Sequence, residues 1–94
     1  MKRARHLNDE ALERLRYTII RRTIVQSTCG LSRSSLYTHV KLGTFTRSVR
    51  IGKRSVGWPS REVEAINTAR IAGVDDEGIR QLVVQLHADR VEKI

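Results

Sequence analysis

Of the 94 residues, one is cysteine, one is proline and 4% are aromatic. A lone cysteine, Cys29, closes no internal disulfide, so a reducing compartment is expected. With so few aromatics, the core has to come from Leu, Ile, Val and Ala. No apolar run exceeds two or three residues, far below the roughly 20 that span a bilayer, and the start of the chain lacks a signal-like pattern. The expectation is a soluble cytoplasmic protein folding as one domain over residues 1–94, near the lower end of comfortable independent folding.

Negative charge is missing from the centre. Between Arg14 and Arg61 there are eleven Lys or Arg, counting both ends, and no Asp or Glu. That absence excludes a paired-carboxylate active site there. Ser32, Ser34 and Ser35 have no His–Asp constellation that the sequence places beside them, and no glycine-rich phosphate loop occurs. Cys29, His6, His39 and His87 show no zinc-ligand spacing. Neither an enzyme nor a cofactor nor a metal site is expected. An ordinary solvated surface mixes both signs. Residues 1–60 instead hold 13 basic and 3 acidic side chains, whereas residues 61–94 hold 5 and 7. A one-signed stretch fits a polyanion partner, because each phosphate neutralised releases counterions. An anionic membrane fits less well, since the basic stretch has no apolar face to insert.

What is present is ordered around Val25–Trp58. Residues 23–29 predict one or two helical turns with Ile24, Val25 and Thr28 facing inward, ended by Gly30, which takes a positive φ without steric cost. Ser32 is placed to cap a second helix over Arg33 to about Leu42. On it Leu36 and Val40 lie four apart and face the core, with His39 at the core's edge. Arg33, Tyr37 and Lys41 form a row on the opposite side, with Ser34 and Thr38 beside it. These side chains supply cationic donors, hydroxyls and one aromatic, the types that bond phosphates and base edges. Gly43 stops the helix, and Phe45 plugs the core. Val49, Arg50 and Ile51, a loop at 52–55, and Val56 to Trp58 then predict an antiparallel hairpin with Lys53 and Arg54 at its tip. Helix, turn, helix and basic hairpin in this order make a winged helix-turn-helix. The candidate contact residues for double-stranded DNA are therefore Arg33, Ser34, Tyr37, Thr38 and Lys41 on the helix, with Arg50, Lys53 and Arg54 on the wing.

The flanks read as support. Asn8 caps a short helix expected within 7–17, with Leu12 and Leu15 on its apolar edge. Thr18 to Arg22 is β-branched and predicts a strand pairing with the wing. Residues 59–94 read as a helical pair. Ser60 is expected to cap the first of these helices, with Val63, Ile66 and Ala69 to Ala72 buried and Gly73 as the stop. Asp75 is expected to cap the second, where Ile79, Leu82, Val83, Leu86 and Val91 make an apolar stripe. The stripe leaves two outcomes open: packing inside the chain, or pairing with a second copy across a two-fold axis. The fold class expected is mostly α with a small β-hairpin.

The strings GLSRSSLY at 30–37, GTF at 43–45, VRIG at 49–52 and VGW at 56–58 resemble, in that order, the AlpA-type regulators of prophages and integrative elements. These are small winged helix-turn-helix proteins related to the MerR-like fold and to phage excisionases. The resemblance covers about residues 19–67, and EVEAINTARIAG at 62–73 with DDEGIR at 75–80 is similar to longer members. It implies that Arg33, Ser34, Tyr37 and Thr38 enter a major groove while Lys53 and Arg54 sit on the wing. Cys29, Thr46, Ser48 and His39 depart from residues common in the family. So does Thr38, which stands where a basic residue is frequent and lacks the bidentate contact that arginine makes to guanine.

The function expected is a sequence-specific DNA-binding protein of a mobile element, bacterial or phage-encoded and nucleoid-associated. It would regulate integrase or excision genes, act as an excisionase at attachment sites, or do both, as an oligomer or cooperative array. The alternative is a protein-interaction module that docks on an integrase or RNA polymerase through the C-terminal helix.

Overall fold

Three short strands and four helices follow one another in residues 18–92, the part of the protein that the computed structural model describes. The helix expected within 7–17, its Asn8 cap and its Leu12 and Leu15 edge lie outside those residues. The order is β1 (Ile19–Arg21), α1 (Arg22–Cys29), α2 (Arg33–Leu42), β2 (Val49–Arg50), β3 (Val56–Pro59), α3 (Ser60–Ile71) and α4 (Asp76–Glu92). The mostly helical winged class is what the sequence predicts.

The sheet has the order β1-β3-β2 and is antiparallel throughout. Ile20 lies opposite Trp58 and Arg21 opposite Gly57, while Val49 also lies opposite Gly57. Side chains alternate faces along a strand. Trp58, Ile20 and Val56 therefore share the inner face, and Val49 shares the outer face with Gly57 and Ile19. Ile19 and Ile51 close over Gly57 from outside. A Cβ there would stand 2.6 Å from Ile19 Cγ2, 2.7 Å from Ile51 Cδ1 and 2.8 Å from the Ile20 carbonyl oxygen.

Trp58 is the hub of the core. Its indole N–H donates to the Thr46 carbonyl at 2.7 Å, and Phe45 meets its ring edge-on at 6.2 Å between centroids. Val25, Leu36, Val63, Ile66, Ile79, Val83 and Leu86 are buried around them. α1 packs on this core by one edge. Val25 and, four residues on, Cys29 occupy that edge. Ile24, at 53% exposure, and the exposed Thr28 point away, contrary to their expected inward placement.

All three glycine stops form as expected, with φ of 69° at Gly30, 82° at Gly43 and 87° at Gly73. Ser32 Oγ accepts the Ser35 N–H at 3.1 Å and so caps α2. At α3 the cap position falls on Pro59 with no side-chain cap; Ser60 is the first helical residue, and its amide donates to the Thr18 carbonyl at 2.7 Å. The edge expected over Ala69 to Ala72 ends at Ala69, because Arg70, Ile71 and Ala72 turn outward, with Ile71 at 88% exposure. Asp75 Oδ1 accepts the Gly78 N–H at 2.9 Å at the start of α4. The α4 stripe packs inside the chain through Ile79, Val83 and Leu86. Its next position, four residues beyond Leu86, is Arg90, and Val91 is 75% exposed rather than a stripe member.

Candidate nucleic-acid interface

On α2, four-residue spacing sets Arg33, Tyr37 and Lys41 one above another, with Ser34 and Thr38 beside them, and all five are exposed. Leu36, fully buried, fixes that rotation; at about 100° per residue it adjoins the row rather than lying opposite it as expected, which lets Tyr37 reach the core. Tyr37 leans on Trp58 at 6.2 Å between centroids, tilted by 57°, so a core residue orients its ring. The loop between β2 and β3 is closed by the Ile51 and Gly52 amides, which donate to the Ser55 carbonyl at 2.9 and 3.3 Å. It holds Lys53 and Arg54 out at the surface, and Arg50 is exposed on β2.

Helix and hairpin meet at a cleft of 450 Å³. Arg33, Tyr37 and Arg54 line it, together with Arg21, Arg22, Thr23 and Val56. Of the eight residues singled out from sequence, three thus converge there. Ser34, Thr38, Lys41, Arg50 and Lys53 lie on the surrounding surface outside it. Four guanidinium groups from four elements surround the cleft, and no acidic residue is among those lining it. Arg22 donates to the Gln26 side chain, one helical turn on, which orients its guanidinium along α1.

Arg21, Arg22 and Thr23 were not among the residues singled out from sequence. The available signal was the Arg21–Arg22 pair inside the acid-free stretch. What was not readable was the strand register, which sets Arg21 opposite Gly57 and thereby next to the wing.

Behind the site, α4 holds the segment joining α2 to the hairpin. Arg80 Nε donates to the Leu42 carbonyl at 3.1 Å, and His87 Nε2 accepts the Arg47 N–H at 3.1 Å. Arg90 donates to the Arg47 carbonyl at 2.7 Å, and through Nε and Nη2 to both oxygens of the buried Glu62, each at 2.7 Å. His39, half-buried at the core's edge, bonds through Nδ1 to Thr44 Oγ1 at 2.7 Å.

Two groups away from the cleft have displaced pKa values. Burial pushes the Cys29 thiol up, with an Asn67 hydrogen bond and Arg70 pulling it back, so the reactive thiolate is disfavoured. Burial, then Arg47 and Arg90, push the His87 imidazole down, against an opposing effect of Glu62. Among the described residues no His, Cys, Asp and Glu group is arranged to hold a metal ion, and no helix is long and apolar enough to cross a membrane.

The family model described as "Prophage CP4-57 regulatory protein (AlpA)" matches residues 18–68, more than half of the chain. The chain belongs to the AlpA family. It is also 43% identical over 49 residues to "Uncharacterized protein ORF88" of Enterobacteria phage P4, across 52% of this chain and 56% of that one. The chain thus spans about half the length of that curated relative. No solved structure matches. The AlpA match contains β1, the whole helix-turn-helix and the wing, hence every residue lining the cleft. α4 lies beyond it.

Proposed function

We propose that this AlpA-family protein is a sequence-specific, double-stranded-DNA-binding regulator of a mobile genetic element. Within that reading it controls integrase or excision genes, acts as an excisionase that bends DNA at attachment sites, or does both. One observation carries the reading: an exposed helix face free of acidic residues and a basic hairpin loop open on the same cleft. α2 enters a major groove with Arg33, Ser34, Tyr37, Thr38 and Lys41, and Arg50, Lys53 and Arg54 grip the backbone beside it. An excisionase would recover the cost of bending from such added backbone contacts. One recognition helix per chain reads a short site, so repeated or cooperative occupancy follows. The alternative, docking on an integrase or polymerase through the α4 stripe, loses support because Ile79, Val83 and Leu86 are in the core.

Substitution separates base reading from backbone grip. Arg33→Ala or Tyr37→Ala should cost about 1–3 kcal/mol on the preferred duplex and less on random duplex. Equal loss on both duplexes would remove these residues from base reading. Lys53→Ala with Arg54→Ala should weaken every duplex and make the salt dependence shallower by about 2 in log–log slope. An unchanged slope would take the wing out of the interface.

A further inference from the structure

We propose that the cleft between the β1–α1 junction, α2 and the wing is a seat for backbone phosphate of one DNA strand, gripped jointly by Arg21, Arg22 and Arg54, with Arg33 closing its α2 side from a base-reading position. The inference rests on the DNA-binding reading and adds to it a specific site and two residues, Arg21 and Arg22, outside the helix-turn-helix face and the wing loop.

The fold does not explain the cluster. The four side chains come from β1, α1, α2 and the wing loop, yet converge on one 450 Å³ cleft with no carboxylate in its lining. Like charges gathered this way repel one another, and among the described residues none of the four forms an ion pair with an acid. Arg21 and Arg22 also sit where α1 begins, the end of a helix that disfavours cations, and α1 has no acidic residue in its first turn. An arrangement that is electrostatically unfavourable in the free protein becomes favourable around a bound anion. The chemistry of the lining specifies which anion. Guanidinium forks match phosphate oxygens bidentately, and the Thr23 hydroxyl adds a neutral donor. Gln26 orients Arg22, so part of this geometry is set before binding. Position then selects a polymer phosphate over a free one: the cleft lies between the helix proposed to read bases and the wing proposed to grip the flank.

Such a seat sets affinity and register, not base preference. The test uses the full chain, a duplex carrying its preferred site, and a random duplex of equal length. Arg21→Gln with Arg22→Gln should weaken both by the same factor and make the salt slope shallower by about 2. Wild type should then lose about 12-fold more affinity than the variant between 50 and 200 mM salt, from about 0.9 counterion per phosphate contact. Ethylation of the same one or two phosphates should impair wild-type binding and cease to matter in this variant. Arg54→Gln, on an exposed loop, is the second variant and should desensitise those same phosphates even if the double variant folds poorly. A folded double variant with unchanged slope overturns the seat, as does loss of sensitivity at different phosphates in the two variants. So does tight binding of inorganic pyrophosphate to the cleft at constant ionic strength, which would reassign it to a small anion. In each of these cases specific binding by the wild type stands, so the DNA-binding reading survives. If the wild type binds neither duplex, that reading itself fails and the seat goes with it.

Discussion

Replacing Arg90 by Ala probes a buried charge contact that tolerates no truncation. Glu62 is 0% exposed, and Arg90 meets both of its oxygens at 2.7 Å while a third bond ties Arg90 to the Arg47 carbonyl. Truncating Arg90 leaves a carboxylate buried without its counter-charge. Breaking a buried pair from one side costs about 3–5 kcal/mol. Domains of this kind are stable by about 5–15 kcal/mol in total, so a large fraction is at stake. With a urea slope of roughly 1–3 kcal/mol/M, the midpoint should fall by on the order of 2 M. The fluorescence of Trp58, the one tryptophan and the hub of the core, reports the transition. Glu62→Leu with Arg90→Met removes both charges and should return stability to within about 2 kcal/mol of wild type or above it, because well-packed apolar pairs substitute for buried ion pairs. An Arg90→Ala loss below about 1 kcal/mol would refute the reasoning. So would a double variant as unstable as the single one.

Gly57→Ala should destabilise by at least about 1–3 kcal/mol, since its Cβ would meet the Ile20 carbonyl oxygen at 2.8 Å as well as two isoleucine side chains; a urea midpoint equal to wild type would contradict the register. His87 titrates below its ordinary 6.5 in the folded chain. The unfolded chain therefore takes up this proton more readily, and the stability His87 contributes is intact above about pH 6.5 and declines as the pH falls below it. His87→Gln can still accept the Arg47 N–H and should flatten the difference between urea midpoints at pH 7.5 and 5.5; parallel profiles for the two proteins would remove His87 as the cause.

What could be read in the sequence was governed by short-range chemistry. Gly30 and Gly43 end helices because they take positive φ, and Ser32 caps α2 through a residue three positions on. The β-branched Ile19 and Ile20 make a strand, and spacing four apart puts Leu36 and Val40 on the core-facing edge of α2. What could not be read depended on register and distance. The outer-face role of Gly57 comes from two strands closing over it. The Glu62–Arg90 pair joins residues 28 apart in sequence. Periodicity alone gave Arg90 no advantage over Val91, yet Arg90 takes the stripe's inward position beside Glu62. The same limit hid Arg21 and Arg22. Their charge was visible within the basic stretch, but their place at the cleft depends on pairing β1 with β3. Ile24 and Thr28 show the opposite error: apolar character and β-branching suggest burial, but α1 meets the core only along the edge of Val25 and Cys29.

The central claim is that α2 and the wing read a particular DNA sequence. A footprint of the full chain across an element's attachment site and integrase promoter, repeated over a salt series, tests it most directly. Discrete protected sites that persist as salt rises are the predicted result, phased beside the attachment core for an excisionase or confined to the promoter for a transcription factor. Only diffuse coverage that fades with salt would contradict the claim and leave the basic face as a non-specific one.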